Sequence, residues 1–166
     1  KIECDNVILS VGIRPAVELA EKAGIKTGMM GGITTDATGA ENHTTIFTIA
    51  ESPLDKNILW VGTDDGRIHM TRDGGKSWKE FTGDLEKIGM PHERWTARVV
   101  ASKHSAGRAY IAKNGYRNDD PSPYLYVTDD YGKSWKDLSS NLPSYALNVI
   151  FENHKNPDLL FVGNDI

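Results

Sequence analysis

The chain has 166 residues, a hydrophobic content of 39% and a formal net charge of −4 at pH 7, the dimensions of one ordinary globular domain or of a small domain with an attachment. No apolar run approaches the roughly 18–20 residues of a spanning helix, no basic segment leads into an apolar one as a secretion signal would, and no stripe of clustered Lys and Arg offers a surface for a phosphate backbone, so neither a membrane span nor a nucleic-acid partner is expected. The lone Cys4 excludes an internal disulfide, a Cys-rich zinc site and a CxxC redox pair, and its neighbours Glu3 and Asp5 disfavour a reactive thiolate.

The first 30 residues read as α/β. "NVILSVG" (6–12) is a nearly continuous apolar run, as in a strand covered on both faces. Arg14-Pro15 breaks it, and "AVELAEKAG" then sets Val17, Leu19, Ala20 and Ala23 around one side of a helix that stops at Gly24. The stretch "CDNVILSVGIRPAVELAEKAGIKTG" resembles the pyridine-nucleotide-disulfide oxidoreductases, where their NAD domain returns to the FAD domain. That family continues toward a Gly-Asp pair whose Asp contacts flavin; this chain has Ala50-Glu51 there, and Ala16 stands in place of the usual Asn after Gly-x-Arg-Pro. No G-x-G-x-x-G occurs, so no dinucleotide phosphate turn is expected and no cofactor is implied. A junction, natural or artificial, is expected near Gly28–Gly32.

From Gly31 onward short apolar runs alternate with Gly, Asp, Asn and Pro clusters, an all-β pattern in which the helical signal is absent. "ILWVGTDDG" (58–66) aligns with "RAYIAKNG" (108–115) and "LLFVGNDI" (159–166), which places Trp60, Tyr110 and Phe161 at steps of 50 and 51 residues. Upstream, "IFTIAES" (46–52), "TARVVAS" (96–102) and "ALNVIFE" (146–152) align at steps of 50. Each unit thus predicts four strands in about 50 residues, the spacing of a propeller blade. The units run roughly 44–94, 95–144 and 145–166, the third cut short. Lys1 at the start and a strand-like "FVGNDI" at the end suggest a fragment.

Within these units "TRDGGKSW" (71–78) returns as "TDDYGKSW" (128–135). Asp73 or Asp130 is expected to fold onto backbone N–H groups two residues ahead, Gly75 or Gly132 to supply a positive φ, Ser77 or Ser134 to restart the strand, and Trp78 or Trp135 to pack inward. Thr71 and Thr128 end the preceding strands. Both copies fit S/T-x-D-x-G-x-T/S-W at every defined position, and residues 31–166 resemble the Asp-box, or BNR-repeat, β-propellers. These include sialidases, xyloglucanase-type glycosidases, VPS10-type sortilin receptors and a photosystem assembly factor. The resemblance implies that the octapeptides are peripheral scaffold rather than a site.

If the octapeptide joins strands three and four, the turns between strands two and three lie at the other end of each sheet, with the links between sheets. That end carries Asp64 and Asp65, Tyr116, Arg117, Asp119 and Asp120 in the loop "KNGYRNDDPSPY", and His92, Glu93 and Arg94 leading into Trp95. Carboxylates beside Tyr and Arg could serve a glycosidase as acid, base and stacking platform. "TDDG" is equally a good turn sequence, and Asn164-Asp165 holds its place in the third unit, which favours a binding surface without chemistry. His43, His69, His92, His104 and His154 show no metal-ligand spacing, and no EF-hand or RTX spacing for calcium exists, so no metal is expected.

The expected fold is mainly β: a partial propeller of four-stranded Asp-box sheets behind a short strand–helix segment at residues 1–30. The expected function is a non-catalytic portion of a sortilin-like parent that binds protein or glycan, with a glycoside hydrolase of sialidase or xyloglucanase type as the alternative. A remnant of an FAD/NAD-dependent disulfide oxidoreductase is the third reading. By family analogy the parent is placed in an extracellular or periplasmic setting. Open sheet faces are expected to drive self-association.

Overall fold

The computed structural model describes residues 45–91 and 93–164. The strand–helix segment at 1–30, the junction at 28–32, Cys4, His43, His92 and Asp165 lie outside them.

Among the described residues, ten strands make three antiparallel sheets. β1 (Ile46–Glu51), β2 (Leu59–Thr63), β3 (Ile68–Thr71) and β4 (Lys79–Glu80) pair in chain order. A five-residue helix, α1 (Thr82–Glu86), leads to β5 (Trp95–Ala101), β6 (Ala109–Gly115), β7 (Asp120–Thr128) and β8 (Lys136–Asp137), again paired in order. β9 (Leu147–Glu152) and β10 (Leu160–Asn164) form the third sheet. The mainly β class expected from the alternating pattern is what the chain adopts.

The same closing hydrogen bond sets the first hairpin of every unit: Ser52 N–H to Ile58 C=O at 2.9 Å, Ser102 N–H to Arg108 C=O at 3.0 Å, and Asn153 N–H to Leu159 C=O at 2.9 Å. The third unit is therefore offset by one residue from the strand alignment read in the sequence. Ile49, Val99 and Ile150 are equivalent, not Ile49, Val99 and Val149. Because side chains alternate with period two, that single step exchanges the faces of β9: Ile150 is buried and Val149 is exposed.

The sheets stack in chain order. One core layer lies between the first and second, with Ile58, Trp60, Ile68, Met70 and Phe81 facing Val99, Ala101, Ile111 and Tyr126. A second layer sets Tyr110, Ala112, Leu125 and Val127 against Leu147 and Ile150. The strand-two aromatics Trp60 and Tyr110 thus point at the following sheet. At Gly62 β2 lies close against β5: an added Cβ would stand 2.3 Å from Thr96 Cγ2, so only glycine fits.

Helix α1 corrects the expectation that the helical signal ends at Gly31. Five residues are too few for a 3.6-residue period to show, yet Leu85 is buried with Phe81 and Met90 in the first core layer. The stretch expected as a long loop, 113–124, is mostly strand. β6 runs on to Gly115 and β7 starts at Asp120, leaving a 3₁₀ turn at Tyr116–Asn118 and Asp119 at φ 54°. Pro121 and Pro123 are tolerated because β8 pairs only with Tyr126 and Val127, leaving this part of β7 an edge.

Both octapeptides adopt one geometry. Thr71 Oγ1 accepts from Gly75 N–H at 3.0 Å and donates to Asp73 Oδ1 at 2.8 Å; Thr128 does the same for Gly132 at 2.9 Å and Asp130 at 3.0 Å. The carboxylates reach four residues ahead, not two, accepting from the N–H and hydroxyl of Ser77 and of Ser134. Two consecutive positive φ values bring that serine back: Gly74 and Gly75 in the first copy, Tyr131 and Gly132 in the second. Hydrogen bonds from Ser77 and Thr71 hold the Asp73 carboxyl well below the usual range, and those from Ser134 hold Asp130 at about 2. The fourth strands begin after the tryptophans, at Lys79 and Lys136, so Ser77 and Ser134 close the turn and do not restart a strand. Trp135 packs edge-on between sheets, 5.9 Å from the Trp60 ring and 6.0 Å from Phe81.

Candidate functional site

The end of the stack opposite the octapeptides is built from the β2–β3 turn, the α1–β5 link and the β6–β7 turn. Antiparallel pairing puts them together. β4 ends where β3 began, so the link starts beside the β2–β3 turn, and Trp95 at its far end pairs with Asn114 near the end of β6.

Each carboxylate singled out in the sequence has a defined place here. Asp64 receives the Thr45 N–H on Oδ1 at 2.9 Å and so ties the entry of β1 to the turn. Asp65 accepts from the Thr63 hydroxyl and, at 3.2 Å, from Arg67 Nε; Arg67 also lies 3.7 Å from Glu80. Gly66 at φ 90° closes that turn. Asp119 closes the 3₁₀ turn, its N–H donating to Tyr116 C=O at 3.2 Å. Asp120 is the most engaged of the four. It accepts from Arg94 Nε at 3.0 Å, Tyr124 hydroxyl at 2.8 Å and Ser122 N–H at 3.1 Å. Burial alone would push this carboxyl up, but those three donors outweigh it and hold it at about 2. A carboxyl held that low stays ionised at neutral pH and has no proton to give.

Beside this ion pair lies an aromatic and cationic surface. Trp95 meets Phe47 edge to face at 4.4 Å, and the Arg117 guanidinium sits 4.9 Å above the Trp95 ring. Tyr116 is 73% exposed at the tip of the 3₁₀ turn, and Glu93 is exposed on the link. The structure therefore brings Arg94 to Asp120, and Trp95 to Arg117. The hydrogen bonds of Asp64 and Asp65 stay within the first sheet and its entry at Thr45.

Three participants carried no sequence signal. Tyr124 closes the stretch expected as a loop, yet it lies in β7 and its hydroxyl holds Asp120. Lys113, within the run "YIAKNG", is fully buried and donates from Nζ to Pro91 C=O at 2.9 Å. Burial lowers its ammonium to about 8, against the pull of Glu86 and Asp65. His69 on β3 is likewise lowered by burial, with Glu80 opposing. Among the described residues, no group of three or more His, Cys, Asp and Glu side chains converges as a metal site would, and no helix is long and apolar enough to cross a membrane.

Comparison with known proteins divides along the chain. The sequence profile of the pyridine nucleotide-disulphide oxidoreductases matches residues 1–53, running past the expected boundary at residue 30 and through β1. No curated protein sequence matches the chain. Among solved structures, YCF48 from Cyanidioschyzon merolae matches at 25% identity and a TM-score of 0.47, over 64% of this chain and 30% of that one. YCF48 bound to D1 peptide matches at 22% identity and a TM-score of 0.42, over 64% and 29%. An ancestral GH74 enzyme matches at 18% identity and a TM-score of 0.56, over 80% of this chain and 17% of that one. The chain thus spans less than a third of the length of these structures. Two stacked four-stranded antiparallel sheets and the likeness to the GH74 enzyme together give the fold, a portion of a β-propeller.

Proposed function

We propose that this chain is a non-catalytic portion of an Asp-box β-propeller, and that its parent binds a protein or glycan ligand in the manner of sortilin-type receptors. The Asp-box assignment is supported by two octapeptides with one bonding pattern, both at the end away from the candidate site. The binding reading is carried by Asp120. The carboxylate best placed beside aromatic and basic groups is locked by Arg94, Tyr124 and Ser122 and kept ionised, which suits a rigid recognition surface and not proton donation to a leaving group. Tyr116 and Arg117 next to it are the contact residues, with Trp95 as their floor. YCF48 has been solved with a peptide bound; peptides accordingly join oligosaccharides as probes.

The test titrates the protein with sialyllactose, xyloglucan oligosaccharides and a peptide library, and follows backbone amide shifts and product release in the same samples. Binding that Tyr116→Ala or Arg117→Ala weakens about tenfold, that survives Asp64→Asn and Asp119→Asn, and that releases no sugar is the expected result. Sugar release abolished by Asp64→Asn or Asp119→Asn would overturn it in favour of a glycoside hydrolase.

A further inference from the structure

A buried cation sits in the seam between the first and second sheets. On β6, Tyr110 and Ala112 face the third sheet and Ile111 faces the first, so the alternation turns Lys113 toward the first sheet as well. Its side chain is fully buried, and three segments of the first unit converge on it. Pro91 C=O on the α1–β5 link accepts from Nζ at 2.9 Å. The carboxylates of Glu86 on α1 and Asp65 on the β2–β3 turn attract the ammonium, and the Arg94 guanidinium on the link repels it.

The repeat does not require a lysine here. Counted from the closing bond of the first hairpin, the equivalent residue in the first sheet is Thr63, a small neutral side chain that accepts from Arg67 N–H at 2.8 Å. Burial of Lys113 outweighs the two carboxylates and lowers its ammonium to about 8, so the charged form gains from water that the seam excludes. The seam also reaches the candidate site. Trp95 pairs with Asn114, the neighbour of Lys113, and Arg94 crosses to Asp120 at 3.0 Å. A displacement at Nζ is therefore carried to both contacts.

We propose that Lys113 is a proton-responsive wedge beneath the recognition surface: protonation spreads the link and the β2–β3 turn from the β6–β7 hairpin and admits water to Nζ, and deprotonation closes them. Spreading returns the ammonium toward its ordinary value in water, so the spread form is favoured at low pH and its share falls as pH rises past about 8. Lys113 is thus a positioning residue, acting through Pro91, Arg94 and Trp95. The consequence for ligands rests on the binding reading above; the motion does not. A ligand that selects the closed form binds about threefold more tightly above the midpoint for each half-unit by which it lowers that midpoint.

The test records carbon-detected N–C′ residual dipolar couplings of the labelled protein from about pH 7 to about 10, across the interval between a lowered and an ordinary lysine value. Couplings in residues 63–66 and 86–91 are expected to reorient relative to those of β7, with one midpoint at about 8 or above that coincides with the Lys113 Nζ signal. Lys113→Met has no proton to lose and should hold one set of couplings throughout. Shifts that titrate while the couplings stay fixed would show a lysine that loses its proton and moves nothing, and would overturn the proposal. Reorientation that persists in Lys113→Met would overturn it as well. Should that variant fold poorly, the unaltered protein decides: reorientation that tracks the Nζ signal supports the wedge, and fixed couplings overturn it. The couplings need no ligand, so failure of every probe to bind would overturn the binding reading alone.

Discussion

Gly75 and Gly132 hold the same place in the two octapeptides and differ in what surrounds them. Both have positive φ, 93° and 76°. Alanine at either therefore costs about 1–2 kcal/mol for the left-handed backbone, offset in part by about 0.4–1 kcal/mol from a stiffer unfolded chain. Beyond this the two part. A Cβ on Gly75 meets nothing nearer than Trp78 Cζ2 at 3.9 Å, whereas a Cβ on Gly132 would stand 2.4 Å from Phe81 Cε1, with two further ring carbons at 2.7 and 2.8 Å. Overpacking of that kind adds about 1–3 kcal/mol. Gly75→Ala is thus expected to destabilise by about 1 kcal/mol and Gly132→Ala by about 2–4 kcal/mol, both measured by urea denaturation at constant m. Phe81→Leu should offset part of the second loss in a double-mutant cycle, because the smaller side chain vacates the space. Equal effects of the two glycine changes, or no coupling to Phe81, would refute the seating of the second hairpin on the first sheet.

Other changes probe the blade contacts and the buried charges. Glu152, buried between the second and third sheets, accepts from Ser102 hydroxyl at 2.7 Å, Lys103 N–H at 2.6 Å and Tyr110 hydroxyl at 3.1 Å. Glu152→Ala strands all three donors and should cost about 2–4 kcal/mol, with amide exchange of β9 and β10 accelerating first; unchanged protection there would contradict this clamp. Lys113 has a folded-state value lowered from 10.5 to about 8. Between those values the unfolded chain holds a proton that the folded chain has released, so folding stability rises with pH from about 8 to 10.5, by at most ~1.4 kcal/mol per pH unit. Lys113→Met should remove that rise, and a variant that keeps the wild-type slope would place the titration elsewhere.

The repeat was legible because its signals are local. Strand-two aromatics recur at nearly constant steps, and an octapeptide of Thr, Asp, Gly, Ser and Trp needs its own residues to bend the chain. What escaped depended on distance or brevity. The third unit's register is set by the Asn153–Leu159 bond, and a one-residue ambiguity in an apolar run such as "ALNVIFE" cannot be resolved by pattern when nearly every position is apolar. Helix α1 is too short for periodicity. Polar residues and two prolines hid the extended β6–β7 hairpin, although an edge accommodates them. At the candidate site, the residue types were visible but their pairing was not. Arg94 meets Asp120 across 26 positions of sequence, and Tyr124 completes that bond from within a strand. Composition gives no sign that Lys113 is buried, since that follows from where the link crosses β6.

The ionisation state of Asp120 separates a binding surface from a catalytic one, and a carbon-13 NMR titration of its carboxyl, in protein labelled at aspartate, reads that state. Three hydrogen-bond donors that outweigh burial predict a midpoint at about 2, with the ion pair to Arg94 intact down to that pH. Since the folded value lies below the ordinary carboxylate value, the bond's contribution to stability is full above about pH 4 and is lost as pH falls through the midpoint. A midpoint above about 5 would mean that burial wins and the proton is held near neutral pH. Asp120 would then be a carboxyl poised to donate, and the binding account would give way to a catalytic one.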